Sequence, residues 1–412
     1  MESPVISSAV MRKANKAVVL SAIRAYGPIS RTKLAEITKL SYPTIRSLTK
    51  TLIDEELVEE SSIGPSIGGR KPVLLSFRAE SGVVAGIDFS GPGTTIGLAD
   101  LSGNISHTRL YDVKFIEPAA MLEHAVRELD NLQNASGIAR NKLAGVGVSC
   151  RGYITANGRE VHMPGFSVPV PLKDTLERTL GVPVFMDHNY NIALSAERDY
   201  GAANNLDNFI YVWVGVGISA AAFLNGEIYR GPSGNAGEFG HMIVEDDGPR
   251  CEECGARGCI ESVAGLSGLA ALARWSLKEA GSGWLDSLGV EDADELTAQT
   301  VLEAAARGDR FALSLVQKAV HRLWLGIRNL VTILGPEAVF IGGSLIRQHP
   351  FYWDIMDKTL DRDAWPFSFT NTKIIKANYT HDTGIRGAVS LALRSIFLYP
   401  RVVEKPLAYG GS

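Results

Sequence analysis

The sequence predicts an α/β protein in which a small basic helical module precedes a larger body made of two similar halves. Three observations lead to this prediction. Strand-like runs alternate with helical segments through the body, two glycine-marked hairpins begin near residues 83 and 209, and basic residues are concentrated at the N-terminus. A chain of 412 residues can form two or three domains. We expect them at 1–78, 79–205 and 206–383, with a C-terminal helix near 384–398 completing the first half of the body.

The composition is that of an ordinary soluble protein, with 45% hydrophobic and 21% charged residues. No run approaches the roughly eighteen apolar residues of a membrane span, and the first residues lack the order of a signal peptide. We therefore expect a cytoplasmic protein that does not contact a membrane. The net charge of -4 conceals an asymmetry, because residues 1–78 carry twelve Lys/Arg against seven Asp/Glu and the remainder carries 29 against 38. A basic module on an acidic body predicts a polyanion-binding head.

The head has the pattern of a winged helix-turn-helix. Apolar residues recur at helical spacing over 16–25, and the pattern stops at Gly27. Ser30 and Ser41 are good N-caps for a second and a third helix, and Pro43 suits the first turn of the third. Two short helices joined by a tight turn, followed by two strand-like runs around a glycine-rich basic loop, predict a helix-turn-helix with a wing.

The head is accordingly predicted to bind a double-stranded DNA operator, with the start of the third helix in the major groove. A small helical dimerisation module is the alternative, but charge, caps and loop together favour DNA. Because one helix-turn-helix makes few base contacts, we expect a homodimer or homotetramer on a palindromic operator. The expected DNA-binding residues are Arg31, Tyr42, Thr44, Arg46, Ser47, Lys50, Arg70 and Lys71.

The body opens each of its two halves with a hairpin. Residues 83–100 and 209–226 both read as a strand, a turn of small residues and a second strand. Either hairpin alone is weak evidence, but two in corresponding places suggest an internal duplication. Helical segments between and after them make the body α/β.

A metal site is predicted from four residues in the second half. Cys251, Cys254 and Cys259 follow His241 at spacings typical of a tetrahedral Cys3His zinc site. A disulfide pair with a spare thiol is the alternative, although an intracellular chain keeps its thiols reduced. Acidic residues flank this run, and their carboxylates would suit the hydroxyls of a bound polyol.

Several motifs resemble those of the ROK family, which is named for its repressors, open reading frames and sugar kinases. The G-E-x-G-H signature is matched at 237–241, the zinc run at 251–259, and the wing sequence of the repressor branch at 68–72. The family usually writes C-x-C-G-x-x-G-C, so this chain has one extra residue between its first two cysteines. The resemblance covers almost the whole chain. It implies a winged helix-turn-helix followed by a two-lobed actin-like body of the ribonuclease H-like, sugar-kinase type.

The resemblance also implies ligand-binding roles. Asn189, Glu238, His241 and Glu261 would contact a monosaccharide or its derivative. His241 would bind a structural zinc ion through one ring nitrogen and the sugar through the other, since a metal on one nitrogen fixes the tautomer.

Departures from the family pattern argue against a kinase. Asn189 stands where the family's sugar kinases carry a catalytic Asp, and an amide cannot accept the proton of the attacking hydroxyl. The phosphate loops at 88–94 and 215–221 have lost glycines or gained a proline. The sequence therefore predicts no enzyme but a sugar-responsive transcriptional regulator, and specifically a repressor. An active ATP-dependent sugar kinase with a DNA-binding domain, or a constitutive DNA-binding protein with a structural zinc, are the alternatives.

Overall fold

The chain folds into two compact units. The first comprises residues up to Ala196 together with the segment from Gly384 onward, and the second comprises Glu197–Thr383. In the described part of the chain, no helix is both long and apolar enough to cross a membrane. The computed structural model describes residues 8–63, 72–91, 93–112, 117–277, 283–360, 371–378, 380 and 382–397.

The N-terminal segment of the first unit combines three helices with a small antiparallel sheet. In this sheet β3 lies between β1 and β2. The predicted wing loop, with Arg70 and Lys71, falls at 64–71 and lies outside the described residues. The elements are α1 (Ser8–Tyr26), β1 (Ile29–Ser30), α2 (Arg31–Thr38), α3 (Tyr42–Asp54), β2 (Val58–Ile63) and β3 (Val73–Phe77).

Local chemistry explains the tight turn between α2 and α3. The hydroxyl of Ser30 accepts a hydrogen bond from the backbone N–H of Lys33 at 3.2 Å, and that of Ser41 accepts from Thr44 at 3.4 Å. Both predicted N-caps are therefore confirmed. Lys39 ends α2 in the left-handed region at φ 60°, which turns the chain toward α3. The fully buried core of this segment includes Leu34, Ile45, Leu52 and Leu75.

The larger part of the first unit is built on a five-stranded mixed sheet. Its strand order is β10-β7-β4-β5-β6, with β4, β5 and β6 antiparallel and β4, β7 and β10 parallel. Helices α4, α5 and α6 connect or follow these strands, and β8 pairs with β9 in a separate ribbon. The bounds are β4 (Val83–Asp88), β5 (Thr94–Asp100), β6 (Ile105–Tyr111), α4 (Pro118–Ala135), β7 (Leu143–Cys150), β8 (Tyr153–Ile154), β9 (Val161–His162), α5 (Leu172–Leu180), β10 (Val184–His188) and α6 (Asn189–Tyr200).

The second unit repeats this sheet topology. Its order is β13-β12-β11-β14-β15, with β11, β12 and β13 antiparallel and β11, β14 and β15 parallel. Both predicted hairpins are present, as β4–β5 and β11–β12. The bounds are β11 (Phe209–Val214), β12 (Ile218–Leu224), β13 (Glu227–Tyr229), α7 (Ile260–Ala264), α8 (Leu266–Trp275), α9 (Trp284–Leu288), α10 (Ala298–Ala306), α11 (Arg310–Leu334), β14 (Ala338–Gly342), α12 (Ser344–Gln348), α13 (Pro350–Thr359) and β15 (Lys373–Lys376).

Helix α14 (Thr383–Phe397) returns to the first unit and packs on its sheet. Glycines make this close approach possible. A Cβ atom at Gly147 would overlap the carbonyl oxygen of Ala388, and one at Gly86 would lie 3.0 Å from that of Ile385. The helix also shares a hydrophobic core with α1, so it contacts both the sheet and the N-terminal segment.

Candidate zinc and ligand site

The zinc loop, which we define as residues 237–261, is closed by its own backbone. An isolated bridge pairs Ile243 with Cys259. Gly258 has φ +65°, and a side chain there would overlap the carbonyl oxygen of Glu245. Only glycine fits so close an approach. This closure returns Cys259 to the beginning of the loop.

The loop brings the four predicted metal ligands together. The ligand atoms of His241, Cys251, Cys254 and Cys259 all lie within 4.8 Å of one another. Ligands bound tetrahedrally at about 2.0 to 2.3 Å are separated by roughly 3.3 to 3.8 Å, so small adjustments would complete a zinc site. The three cysteines are free thiols, and none forms a disulfide. The residues present therefore fit a zinc ion, and the extra residue in the motif does not remove Cys251 from the cluster.

The two nitrogens of His241 face different partners. Nδ1 lies 3.9 Å from the Sγ of Cys251, whereas Nε2 lies 3.6 Å from a carboxylate oxygen of Glu238. Metal binding through Nδ1 would leave Nε2–H as an oriented donor on the carboxylate side. The ring thus connects the metal cluster to the acidic residues of the loop.

Glu261 is the most buried carboxylate of the group, with 8% of its surface exposed. Its Oε2 accepts a hydrogen bond from the backbone N–H of Ile218 at 2.8 Å. The pKa of Glu261 is raised to about 7, chiefly by burial and also by the neighbouring carboxyl groups of Glu253 and Glu238, against the lowering effect of the Ile218 N–H. Sequence reasoning did not assign Glu253. The extra residue between the cysteines was the only signal that could have drawn attention to it.

A cavity of about 260 Å³ opens beside these groups. Its wall combines the zinc loop, including Glu253 and Glu261, with Ser267 and Gly268 at the start of α8. Carboxylates and a hydroxyl on one wall suit a small polar ligand rather than an apolar one.

An ion pair attaches the zinc loop to α11. Arg322 donates from Nε to a carboxylate oxygen of Glu245 at 2.7 Å, and from Nη2 to the other oxygen. Arg322 holds the pKa of Glu245 below its ordinary value. Bidentate geometry of this kind orients as well as stabilises. The loop is thereby fixed to the longest helix among the described residues.

The fourth predicted sugar-binding residue, Asn189, belongs to the first unit. It begins α6 and is 7% exposed. The adjacent Asp187 accepts hydrogen bonds from the Asn191 side chain at 2.7 Å and the His188 backbone at 2.8 Å. The His188 ring is stacked on Tyr190, with 5.0 Å between centroids. Asp187 and His188, the groups next to Asn189 that could replace a catalytic base, are therefore already engaged.

The second glycine hairpin is crowded by side chains. A Cβ atom at Gly215 would lie 2.6 Å from the Ser344 hydroxyl and 2.8 Å from the indole nitrogen of Trp213. Between the two glycines of this turn, Val216 is 50% exposed. In the first hairpin, the Asp88 carboxylate accepts a hydrogen bond from the Ser90 N–H at 2.9 Å.

The described candidate DNA-binding residues lie on α2 and α3, and they differ in their surroundings. On α3, Tyr42, Arg46, Ser47 and Lys50 are exposed, whereas Thr44 is half-buried and bonded to the Ser41 hydroxyl. Arg31 differs again, because it donates to Glu60 at 2.8 Å and to Thr49 at 3.1 Å.

Arg24 joins the N-terminal segment to the rest of the first unit, and sequence reasoning did not find it. Its guanidinium carbon lies 5.2 Å from the ring centroid of Phe77 and 4.7 Å from that of Phe397, which is on α14. The two rings meet edge to face at 6.1 Å. Nη2 also donates to the carbonyl oxygen of Leu101 at 3.0 Å. No motif marks this contact, because its partners are far apart in sequence.

Two units with the same mixed sheet topology, the second carrying a Cys3His cluster, define an α/β body of the actin-like, sugar-kinase type. An N-terminal helical segment precedes this body. The chain belongs to the ROK family, whose model matches residues 84–395.

Comparison with individual proteins gives the same result. The chain is 30% identical over 347 residues to the xylose repressor of Bacillus subtilis strain 168, covering 84% of this chain and 86% of that protein. Its fold is similar to that of a ROK family transcriptional regulator described as a homolog of the E. coli MLC protein, with TM-score 0.78, 22% identity and coverage of 97% and 99%. It is also similar to a ROK family glucokinase from Streptomyces griseus, with TM-score 0.61, 25% identity and coverage of 76% and 99%. The regulator therefore matches nearly the whole chain, whereas the kinase matches about three quarters.

Proposed function

We propose that this protein is a sugar-responsive transcriptional repressor that binds operator DNA as a homodimer or homotetramer. One observation carries the proposal: the chain is related over 84% of its length to a repressor named for a sugar. The N-terminal helices and the loop with clustered metal and acidic groups would supply the two sites that such a repressor needs.

The N-terminal segment would act as a winged helix-turn-helix. The capped α2–α3 turn and the exposed Tyr42, Arg46, Ser47 and Lys50 support this role. These side chains could reach base edges or phosphates if α3 entered the major groove. Arg31 would then position α2 against α3 and β2 through Thr49 and Glu60 rather than read bases.

The zinc loop would sense the sugar. A structural zinc held by His241 and the three cysteines would fix the loop, and it would take no part in a reaction. Glu238 and Glu261 would accept hydrogen bonds from ring hydroxyls, while Nε2–H of His241 would donate one. Asn189 is proposed as a further hydroxyl contact.

The body would bind sugar without transferring phosphate. Phosphoryl transfer needs a positioned base and a nucleotide held in line. Asn189 replaces the base, the Asp187 carboxylate is bonded within its own segment, and side chains crowd the second glycine hairpin. These features support a regulator rather than a kinase.

Operator binding in the presence and absence of sugar tests the proposal. Full-length protein should bind double-stranded DNA that carries its operator, and one sugar of a monosaccharide panel should weaken that binding. Protein lacking residues 1–78 should lose it. Arg46→Ala should relax base specificity at a cost of about 1 to 3 kcal/mol if Arg46 makes a bidentate base contact. Unchanged operator affinity in every sugar would instead support a constitutive DNA-binding protein.

A further inference from the structure

Glu253 is a carboxylate of the zinc loop that the sequence motifs leave without a role. It lies between Cys251 and Cys254, where this chain has one residue more than the spacing usual in the family. Its carboxylate oxygen lies within 4.8 Å of one from Glu261 and of a ring nitrogen of His241. Glu253 therefore reaches the same group of side chains that would contact the sugar.

The carboxyl groups of Glu253 and Glu261 lie next to each other, with one oxygen of each within 4.8 Å. Carboxyl oxygens accept hydrogen bonds, so two carboxyl groups this close are satisfied by a ligand that donates to both. Ring hydroxyls and an ammonium group can make such donations. A phosphate or carboxylate group cannot, unless it is protonated.

We propose that Glu253 is a specificity-determining residue, which makes the site select an uncharged or amine-bearing sugar over a phosphorylated or carboxylated one. This inference rests on the proposed sugar-sensing function. Glu238, Glu253 and Glu261 place three carboxylates around one imidazole, and a zinc ion with three thiolate ligands is itself net negative. An anionic ligand would therefore meet like charge in a partly desolvated site.

Arg250 also lines this cavity, and its positive charge would act against the proposed selection. Its Nε donates to the carbonyl oxygen of Gly255 at 3.2 Å, and the side chain is exposed. The Arg250 side chain therefore binds the loop backbone. The Glu253 carboxylate, in contrast, lies among the groups that would contact the sugar.

The test uses zinc-loaded full-length protein and two matched variants. Glu253→Gln removes the charge with little change of shape. Glu252→Gln is the control, since Glu252 is adjacent, is exposed as Glu253 is, and lines the same cavity, but its carboxylate is not in the close group with His241 and Glu261. Calorimetry with glucose, xylose, glucosamine and glucose 6-phosphate measures affinity, and elemental analysis measures zinc.

Wild-type protein should bind a neutral or amine-bearing sugar and bind glucose 6-phosphate more weakly than glucose. Glu253→Gln should keep its zinc, lose roughly tenfold in affinity for the preferred sugar and discriminate less against glucose 6-phosphate. Glu252→Gln should behave as wild type. Unchanged sugar affinity in Glu253→Gln, loss of its zinc, or wild-type preference for glucose 6-phosphate would overturn the role of Glu253 while leaving sugar sensing intact. Failure of wild-type protein to bind any of the four sugars would overturn both.

Discussion

Replacing Arg24 with Ala should loosen the N-terminal segment from the rest of the first unit and weaken the response to sugar. The structure gives the magnitude. Two cation–π contacts of about 0.5 to 1 kcal/mol each and one charge-assisted hydrogen bond of about 1.5 kcal/mol together contribute about 2.5 to 3.5 kcal/mol. Because α14 lies on the body sheet and Phe397 contacts Arg24, this contact is a direct physical connection between the body and the head.

Hydrogen–deuterium exchange provides the assay. A loss of about 3 kcal/mol in the free energy of local opening should speed exchange in α1 by roughly 150-fold. The ratio of operator affinities without and with sugar should fall at the same time. Arg12→Ala is the control on the same helix, since Arg12 is exposed and its Nη2 donates only a 3.3 Å hydrogen bond to Thr51 among its described contacts. Exchange and sugar response equal to wild type in Arg24→Ala would refute this reasoning.

Three further predictions concern the body. Neither wild-type protein nor Asn189→Asp should show sugar-dependent ADP release above about 1 per second, the low end for kinases. A restored base cannot act on a nucleotide that is not held in line. Turnover above that rate would favour the kinase alternative. Cys259→Ser should lower both zinc content and sugar affinity. Glu238→Ala should keep its zinc and lose at least severalfold in sugar affinity. Undiminished sugar binding by Glu238→Ala in calorimetry would contradict the proposed contact between Glu238 and the sugar. Arg322 lowers the pKa of Glu245, so the ion pair contributes stability above the ordinary Glu pKa and loses it as pH falls through the lowered value. Acid unfolding monitored by circular dichroism should therefore be less steep in Glu245→Gln, and identical profiles would show that the pair does not contribute.

The sequence by itself determined the features that depend on neighbouring residues. Ser30 and Ser41 cap helices because their hydroxyls need reach only three residues along the chain. The two hairpins follow from strand-forming runs on either side of short turns. The metal cluster could also be predicted from the sequence, because three of its ligands fall within nine residues and glycines close the loop between them.

Only the tertiary structure decided which distant side chains meet. Arg24 contacts Phe397, Arg31 donates to Glu60, and neither pairing leaves a periodic or spacing signal in the sequence. Glu252 and Glu253 are neighbouring acids in the sequence, and only the path of the loop places the Glu253 carboxylate beside Glu261. Such contacts arise when whole helices and strands pack together. The distance between two residues along the chain does not tell whether their elements will meet in space. Local patterns fix where helices, turns and ligand clusters form, and the close packing of whole elements fixes which charged groups share a site.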